Sequence, residues 1–435
     1  MKHRLQSAEF KECYRTNDCF FNRERIFNFV TVMLTLLNNI SKSLSVELTK
    51  FLQRFGQGRL GSKQAFSQAR YKIKPEAFND LNDAFVKAYY EAGGYRLYAD
   101  KYLLLASDGS DYELPWEEEL REEFGVADNT QNRQPMCMAK AVKIWDVLNR
   151  LTVSAVLGRY EVAEIQHFKA AWLKAKSLLC GQVDARLLLL GDMYYPSLWL
   201  MAGIQSDGID FLFRCKPSFC REVKQFMASD LPEAVLHIPI ASDPNRKSKF
   251  KKSTGSAGQD VPYAVQVRAV NFTRPNGEAS CLLTSISVQD MNYESICGLY
   301  PYRWGEEVSF NFDKNRTEIE NFSAKMPQGI RQEWHASILA TNLAQLVIED
   351  AQELLDVAQK EASNKYDYQI NRSVALGIIK DEMPKMLFGK EKTVTFYNRM
   401  IKLVIRHREP IRPDRSFPRN KKHRLRFSMN FRRIV

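Results

Sequence analysis

The sequence contains no long apolar run, no paired cysteines and no glycine-rich phosphate loop, and each absence removes a class of protein. No stretch approaches the roughly 18 apolar residues of a membrane span. The N-terminus carries no secretory pattern, so the chain is expected in a cytoplasm with its thiols reduced. Eight cysteines include no Cys-x2-Cys pair and six histidines stand apart from them, which argues against a structural zinc site. There is no Gly-x-Ser-x-Gly elbow, and the histidines (3, 167, 237, 335, 407 and 423) offer no partner for a Ser or Cys nucleophile. Walker-type and dinucleotide glycine patterns are also missing, so ATP use is not implied.

What the chain has is size and a lopsided charge. Its 435 residues, 45% hydrophobic and 26% charged, suit a globular protein of more than one domain with a large core. The net charge is +12, and the stretch from Lys402 to Val435, with twelve Lys and Arg against Glu409 and Asp414, carries +10 of it. Phe417, Phe427 and Phe431 are interleaved with these arginines, a composition able to lie along a phosphate backbone or simply to form a solvated basic terminus.

Hydrophobic periodicity divides the chain. Residues 1 to 95 read as helical, from Ile26, Phe27, Val30, Met33, Leu34 and Leu37 and again from Phe78, Leu81, Phe85 and Tyr89. Glycines 56, 58 and 61 separate two of these helices, and Ser62 can cap the next, which carries Lys63 and Arg70, types that grip phosphates or read base edges. A plain helical bundle fits these facts equally. From 97 the pattern changes to strands: Leu97 to Asp108, expected to end at the acid and the turn-forming Gly109, then Ala139 to Val147 and Leu151 to Leu157 as a hairpin around Asn149 and Arg150. A helix with Val162, Ile165, Phe168 and Trp172 on one face follows, then Ala185 to Asp192 as a strand buried on both faces, a helix opened by Pro196, and a strand from Gly208 to Cys215. Three antiparallel strands followed by helix, strand, helix, strand is the ribonuclease H-like order. Residues 218 to 295 read as a β-rich insertion with a basic loop, Arg246 to Lys252, and residues 330 to 362 as a long helix. The expected domains are therefore 1–95, helical; 96–217 with 296–362, an α/β ribonuclease H-like core; 218–295, the insertion; and 363–435, a helical region ending in the basic tail.

Cutting or transferring a phosphodiester requires carboxylates converging on metal ions about 4 Å apart. Asp108 and Asp192 each close a predicted core strand, and those strands are neighbours in this fold class. Either acid could instead be an ordinary turn aspartate. The third element is Tyr300-Pro-Tyr-Arg303-Trp-Gly-Glu-Glu307, in which Tyr300, Arg303 and Glu307 share one face of a helix that Pro301 can begin, with Lys314 two turns on. A surface helix with an Arg303 to Glu307 ion pair is the plainer account of the same spacing.

Tyr300-x2-Arg303-x3-Glu307-x6-Lys314 resembles the Tyr-x2-Arg-x3-Glu-x6-Lys signature of the bacterial insertion-sequence transposases of family four, within the DDE transposases. Leu-Leu-Leu-Ala-Ser-Asp108 and Leu-Leu-Leu-Leu-Gly-Asp192 stand where that family has its two catalytic aspartates, and the family has a β-rich insertion between the second aspartate and the glutamate. The resemblance implies that Asp108, Asp192 and Glu307 are catalytic and bind two Mg2+ or Mn2+ ions, with Tyr300, Arg303 and Lys314 on DNA phosphates. It implies hydrolysis at the element end, transfer of the freed 3′-hydroxyl to target DNA, and in studied members a hairpin between the two. It also implies a helical DNA-binding region at residues 1–95, double-stranded DNA as partner (terminal inverted repeats and target), a homodimer on DNA and a bacterial, nucleoid-associated setting. Arg214 and Lys216, closing the strand at 215, are further candidates for backbone contact. A nuclease of the same fold that cuts without joining, and a DNA-binding relative without activity, are the alternatives.

Overall fold

Leu103 to Leu105 and Leu187 to Leu190 are apolar on both sides of the pleat, as a strand covered on both faces requires. They form the centre of a nine-stranded sheet in the computed structural model, which describes residues 1–38, 43–55, 60–128, 135–229, 231–254, 261–274, 277–315, 319–360, 365–389 and 391–412. The strands are β1 (Tyr102–Glu113), β2 (Val126–Ala127), β3 (Met136–Asp146), β4 (Leu151–Arg159), β5 (Arg186–Gly191), β6 (Asp210–Cys215), β7 (Glu233–Pro239), β8 (Ala264–Thr273) and β9 (Ala279–Thr284). Their order is β2-β3-β1-β5-β6-β9-β8-β7, with β4 paired to β3. Only β1, β5 and β6 run parallel to one another; the other pairings are antiparallel.

The expected strands through Cys215 are present, but a helix (Glu118–Phe124) and the short strand β2 lie between the first two, the helix after Asp192 begins at Leu198 and not at Pro196, and a further correction bears on the site. Asp108 does not close its strand and Gly109 makes no turn: β1 continues to Glu113 because β3 is long enough to pair with it from Leu105 to Glu113. The parallel partner β5 stops earlier, its last pair being Leu190 with Ala106. Asp108 thus stands where β1 outgrows its parallel neighbour, and Asp192 is the first residue after that neighbour ends.

Helices cover both faces. Before the sheet come α1 (Lys2–Gln6), α2 (Ala8–Tyr14), α3 (Phe29–Leu37), α4 (Leu44–Phe55), α5 (Lys63–Arg70) and α6 (Glu76–Ala92). Ser62 caps α5 as expected, accepting from the Ala65 amide at 3.1 Å. Between and after the strands lie α7 (Glu118–Phe124), α8 (Glu164–Leu179), α9 (Leu198–Ser206), α10 (Arg221–Met227), α11 (Pro244–Thr254), α12 (Tyr293–Leu299), α13 (Trp304–Asn315), α14 (Pro327–Lys360), α15 (Arg372–Phe388) and α16 (Thr393–Ile405). The first five helices and part of α6 share one apolar core with α14, α15 and α16, through Phe29, Phe66, Leu339, Ile379 and Phe396 among others. The strands within 218–295 likewise do not stand alone: β9, β8 and β7 extend the main sheet outward from β6.

Two local expectations change. The basic stretch Arg246 to Lys252 is helical, within α11, since the Asp243 carboxylate accepts from the Asn245 and Arg246 amides at 3.0 and 3.1 Å and Pro244 fixes the first helical φ. Pro301 opens no new helix from coil; Tyr300–Arg303 is a 3-10 turn joining α12 directly to α13. The tail from 413 to 435, with Phe417, Phe427 and Phe431, lies outside the described residues.

Candidate active site

One face of the sheet carries Ala106, Leu188, Leu190, Leu212 and Phe272 against Leu299 and Tyr300. Because side chains alternate along a strand, Asp108 on β1 and Arg214 on β6 project to this same face. The 3-10 turn and α13 cross its end, and here the sequence-predicted groups gather.

Arg303 is the hub. It is 4% exposed; its Nη2 donates to Glu307 Oε1 at 2.6 Å and its Nη1 lies 3.8 Å from Asp108 Oδ2. Asp108 also accepts from the Gly109 amide at 2.9 Å. Burial, followed by the charge of Glu164, pushes its carboxyl up to about 7, against the opposing pull of Arg303 and the Gly109 amide; Asp192 adds to the rise. Asp192 itself accepts from the Tyr194 amide at 2.8 Å, the turn-aspartate role that its sequence also allowed. Glu307 is half exposed and keeps the ion pair with Arg303.

Tyr300 is 2% exposed, its ring edge-on to Phe272 at 5.5 Å, and its hydroxyl has no hydrogen-bond partner. Burial raises its pKa, while Arg303 and Arg214 lower it. Arg214 Nε and Arg303 Nε are likewise buried without partners. Lys216 is exposed just past β6. Lys314 points away from this group, donating to the Asp111 carbonyl at 2.5 Å and lying 3.8 Å from Glu320. Of the two residues singled out on α5, Lys63 is exposed, but Arg70 is 1% exposed and bound inside the protein to Gln332, Glu333 and the Gly329 carbonyl at 3.1, 2.7 and 3.0 Å. It ties α5 to α14 rather than facing solvent.

Three neighbours were not singled out by sequence. Glu164, the first residue of α8, lies against Gly109 so closely that a Cβ there would overlap its carboxylate. Tyr195 donates to its Oε1 at 2.8 Å, and burial with the charge of Asp192 raises its pKa. Lys143, directly opposite Asp108 on β3, is 1% exposed and donates to Ser309 at 2.6 Å and Asp313 at 2.9 Å. Glu306 lies 3.8 Å from Lys143, fully buried with neither carboxylate oxygen hydrogen-bonded, and burial holds its carboxyl far above the usual range.

The donor set fits a hard divalent cation in chemistry. Glu164 and Asp192 raise the charge cost of Asp108, Asp192 raises that of Glu164, and Arg303 is shared between Asp108 and Glu307. Among the described residues no three His, Cys, Asp or Glu side chains converge closely enough to hold an ion in this conformation. Nor is any described helix long and apolar enough to cross a membrane.

Acids and arginines brought to one edge of a mixed sheet, where its parallel strands end, define an α/β enzyme of acid-centred chemistry. More particularly, residues 101–343, over half of the chain, match the family described as a transposase DDE domain, and the chain belongs to that family. It is a DDE transposase, and membership implies dependence on divalent metal. A cryo-EM structure of a piggyBac transposase synaptic complex with hairpin DNA is similar at a TM-score of 0.45 and 9% identity, over 97% of this chain and 87% of that one. No curated protein matches the sequence.

Proposed function

We propose that this transposase cuts and joins DNA at an active site built from Asp108, Asp192 and Glu307, with Tyr300, Arg303 and Arg214 on the scissile phosphates. The observation that carries it is the Arg303 bridge, which links the first and third acids at 3.8 and 2.6 Å beside the strand end that bears the second. The order of strands and helices through β6 supports a ribonuclease H-like core, and the Tyr-Arg-Glu-Lys spacing supports the bacterial insertion-sequence transposases of family four.

In this reading a DNA phosphate arriving beside Arg303 competes with Glu307 for the guanidinium, since a phosphate offers two oxygens to its planar fork. Glu307, half exposed, is then free to turn toward Asp108 and Asp192. The unpartnered hydroxyl of Tyr300 and the Nε of Arg214 gain acceptors in the same event. Two divalent cations, Mg2+ or Mn2+, would be held by Asp108, Asp192 and Glu307 and would supply Lewis acidity at the phosphorus and a lowered pKa for the attacking water. The partner is double-stranded DNA, terminal inverted repeats and target, engaged by a homodimer. Lys63 on α5 and Lys216 extend the contact, and Lys314, held at Asp111, borders it. A hairpin intermediate would be handled by the segment 218–295.

The test is joining. A pre-cleaved element end bearing a free 3′-hydroxyl, supplied with Mg2+ and target DNA, is expected to be covalently joined by the wild type. Cutting of intact ends without joining of pre-cleaved ones would make the protein a nuclease and overturn the proposal.

A further inference from the structure

A second cationic surface lies away from the acids, on the helix that precedes the basic tail. Phe396, Met400, Ile401 and Val404 bury one side of α16 in the core that the first helices share with α14 and α15, not in the apolar cluster behind the active site. The other side carries Thr395, Arg399, Lys402 and Arg406, all exposed and three or four residues apart, so the three cations form one stripe along the helix. α16 contains no acid, and its buried side fixes the direction in which the stripe faces.

The cationic surface continues into a hairpin of β10 (Tyr368–Ile370) and β11 (Arg408–Pro410). The Asn371 amide donates to the His407 carbonyl at 3.1 Å, which joins the end of α16 to this hairpin. Arg408 and Arg412 lie over the rings of Tyr368 and Tyr366, at 5.1 and 6.0 Å, rather than beside carboxylates. Two neighbouring acids are engaged: Glu391 pairs with Arg399 at 2.9 Å, and Glu409 accepts from the Gln369 and Asn371 side-chain amides at 3.2 and 3.0 Å. Asp367 stands exposed in the hairpin and offsets one cation. Among the described residues, Lys402, Arg406, Arg408 and Arg412 make no ion pair. From Arg412 the sequence runs on through 413–435 with eight further Lys and Arg against Asp414.

We propose that this surface, Lys402 and Arg406 on α16 with Arg408 and Arg412 beyond them, grips the phosphate backbone of double-stranded DNA outside the active site, whatever the base sequence. This rests on DNA being the substrate. Like charges gathered on one side of a fold repel one another, and a duplex, with about one negative charge per 1.7 Å of axis, relieves that repulsion. The complementarity is one of charge, and charge meets phosphates, which are the same in every sequence.

The experiment is binding of the full-length protein to two labelled duplexes of equal length, an element end and an unrelated sequence, without divalent cation and across a salt series. The double variant Lys402→Gln with Arg406→Gln should bind both duplexes about tenfold or more weakly at about 0.1 M salt. Its plot of log affinity against log salt should be shallower by about two, since each lost phosphate contact removes about 0.9 from the slope. Lys402→Arg with Arg406→Lys, which keeps both charges, should bind as the wild type does. Arg408→Gln, on the hairpin, should lower the slope by about one, and it decides the question if the double variant does not fold. Unchanged affinity and slope in the glutamine variants overturn the surface and leave the active-site reading standing. A loss confined to the element end also overturns it, because phosphates do not differ between the duplexes. A wild type that binds neither duplex overturns the reading of DNA as substrate.

Discussion

Arg303 and Glu307 are hydrogen-bonded, Nη2 to Oε1 at 2.6 Å, so the base and the acid of the same helical face are paired before any substrate arrives. The pair is one turn apart and half of it is exposed, which makes it weak as a stabilising contact. Its meaning lies in exchange: what displaces Glu307 from Arg303 also prepares Glu307.

Arg303→Lys should therefore fail despite keeping the charge, because an ammonium cannot take a phosphate in two parallel bonds. Joining of pre-cleaved ends is expected to fall by about a hundredfold. Equal rates for the lysine variant and the wild type, in the same single-turnover assay, would contradict the exchange.

Lys143 holds α13 from beneath, with bonds to Ser309 and Asp313 and Glu306 at 3.8 Å. Lys143→Met leaves buried acids without their cation and should destabilise the fold by about 3–5 kcal/mol in urea denaturation. Adding Glu306→Leu should recover part of that loss, and no recovery in the double variant would argue that the two do not interact.

The site's groups were legible in the sequence to different degrees, for reasons visible in the contacts. The apolar run before Asp108 marks a strand and the leucine run before Asp192 a strand buried on both faces, while Glu307 is singled out by the four-residue signature with Tyr300, Arg303 and Lys314. Gly109 reads as a turn residue in the sequence, but in the structure Glu164, 55 residues away in the chain, packs where its side chain would be. Glu164 itself, in Val162-Ala-Glu-Ile165, looks like any acid in a first helical turn. Arg70 looked like a phosphate contact because composition cannot show that Gln332 and Glu333 on α14 take its donors. The run of like charges at 246–252 reads as a loop by composition, whereas Asp243-Pro244 before it starts a helix.

Asn342 pins α14 to the sheet at the irregularity between Ile144 and Trp145, accepting from the Thr152 amide and donating to its carbonyl, both at 2.9 Å. Asn342→Leu leaves the buried Thr152 amide without its acceptor and the Asn82 side-chain carbonyl without the Asn342 donor at 2.8 Å, the Thr152 carbonyl keeping only Asn82 at 3.5 Å, and is expected to cost about 3 kcal/mol, read from chemical denaturation. A loss below about 1 kcal/mol would mean that other groups satisfy Thr152.

His335 on α14 is buried, and burial, with Lys174 and Arg331 nearby, depresses its pKa to about 3. Unfolded, it titrates near 6.5. Between these values the unfolded chain binds the extra proton, so this residue's contribution to stability is intact above pH 6.5 and is lost as the pH falls toward 3. From pH 7 to pH 5 the wild type should lose about 2 kcal/mol more than His335→Asn. Parallel pH dependence of the two proteins in urea melts would refute the assignment.

The most direct measurement of the central claim is single-turnover cleavage of a labelled element end by Asp108→Asn, Asp192→Asn and Glu307→Gln, alongside binding of the same DNA. Each variant is expected to bind the end as the wild type does while cleavage falls by about a thousandfold or more. Wild-type cleavage by any one of the three would remove that acid from the active site and contradict the account.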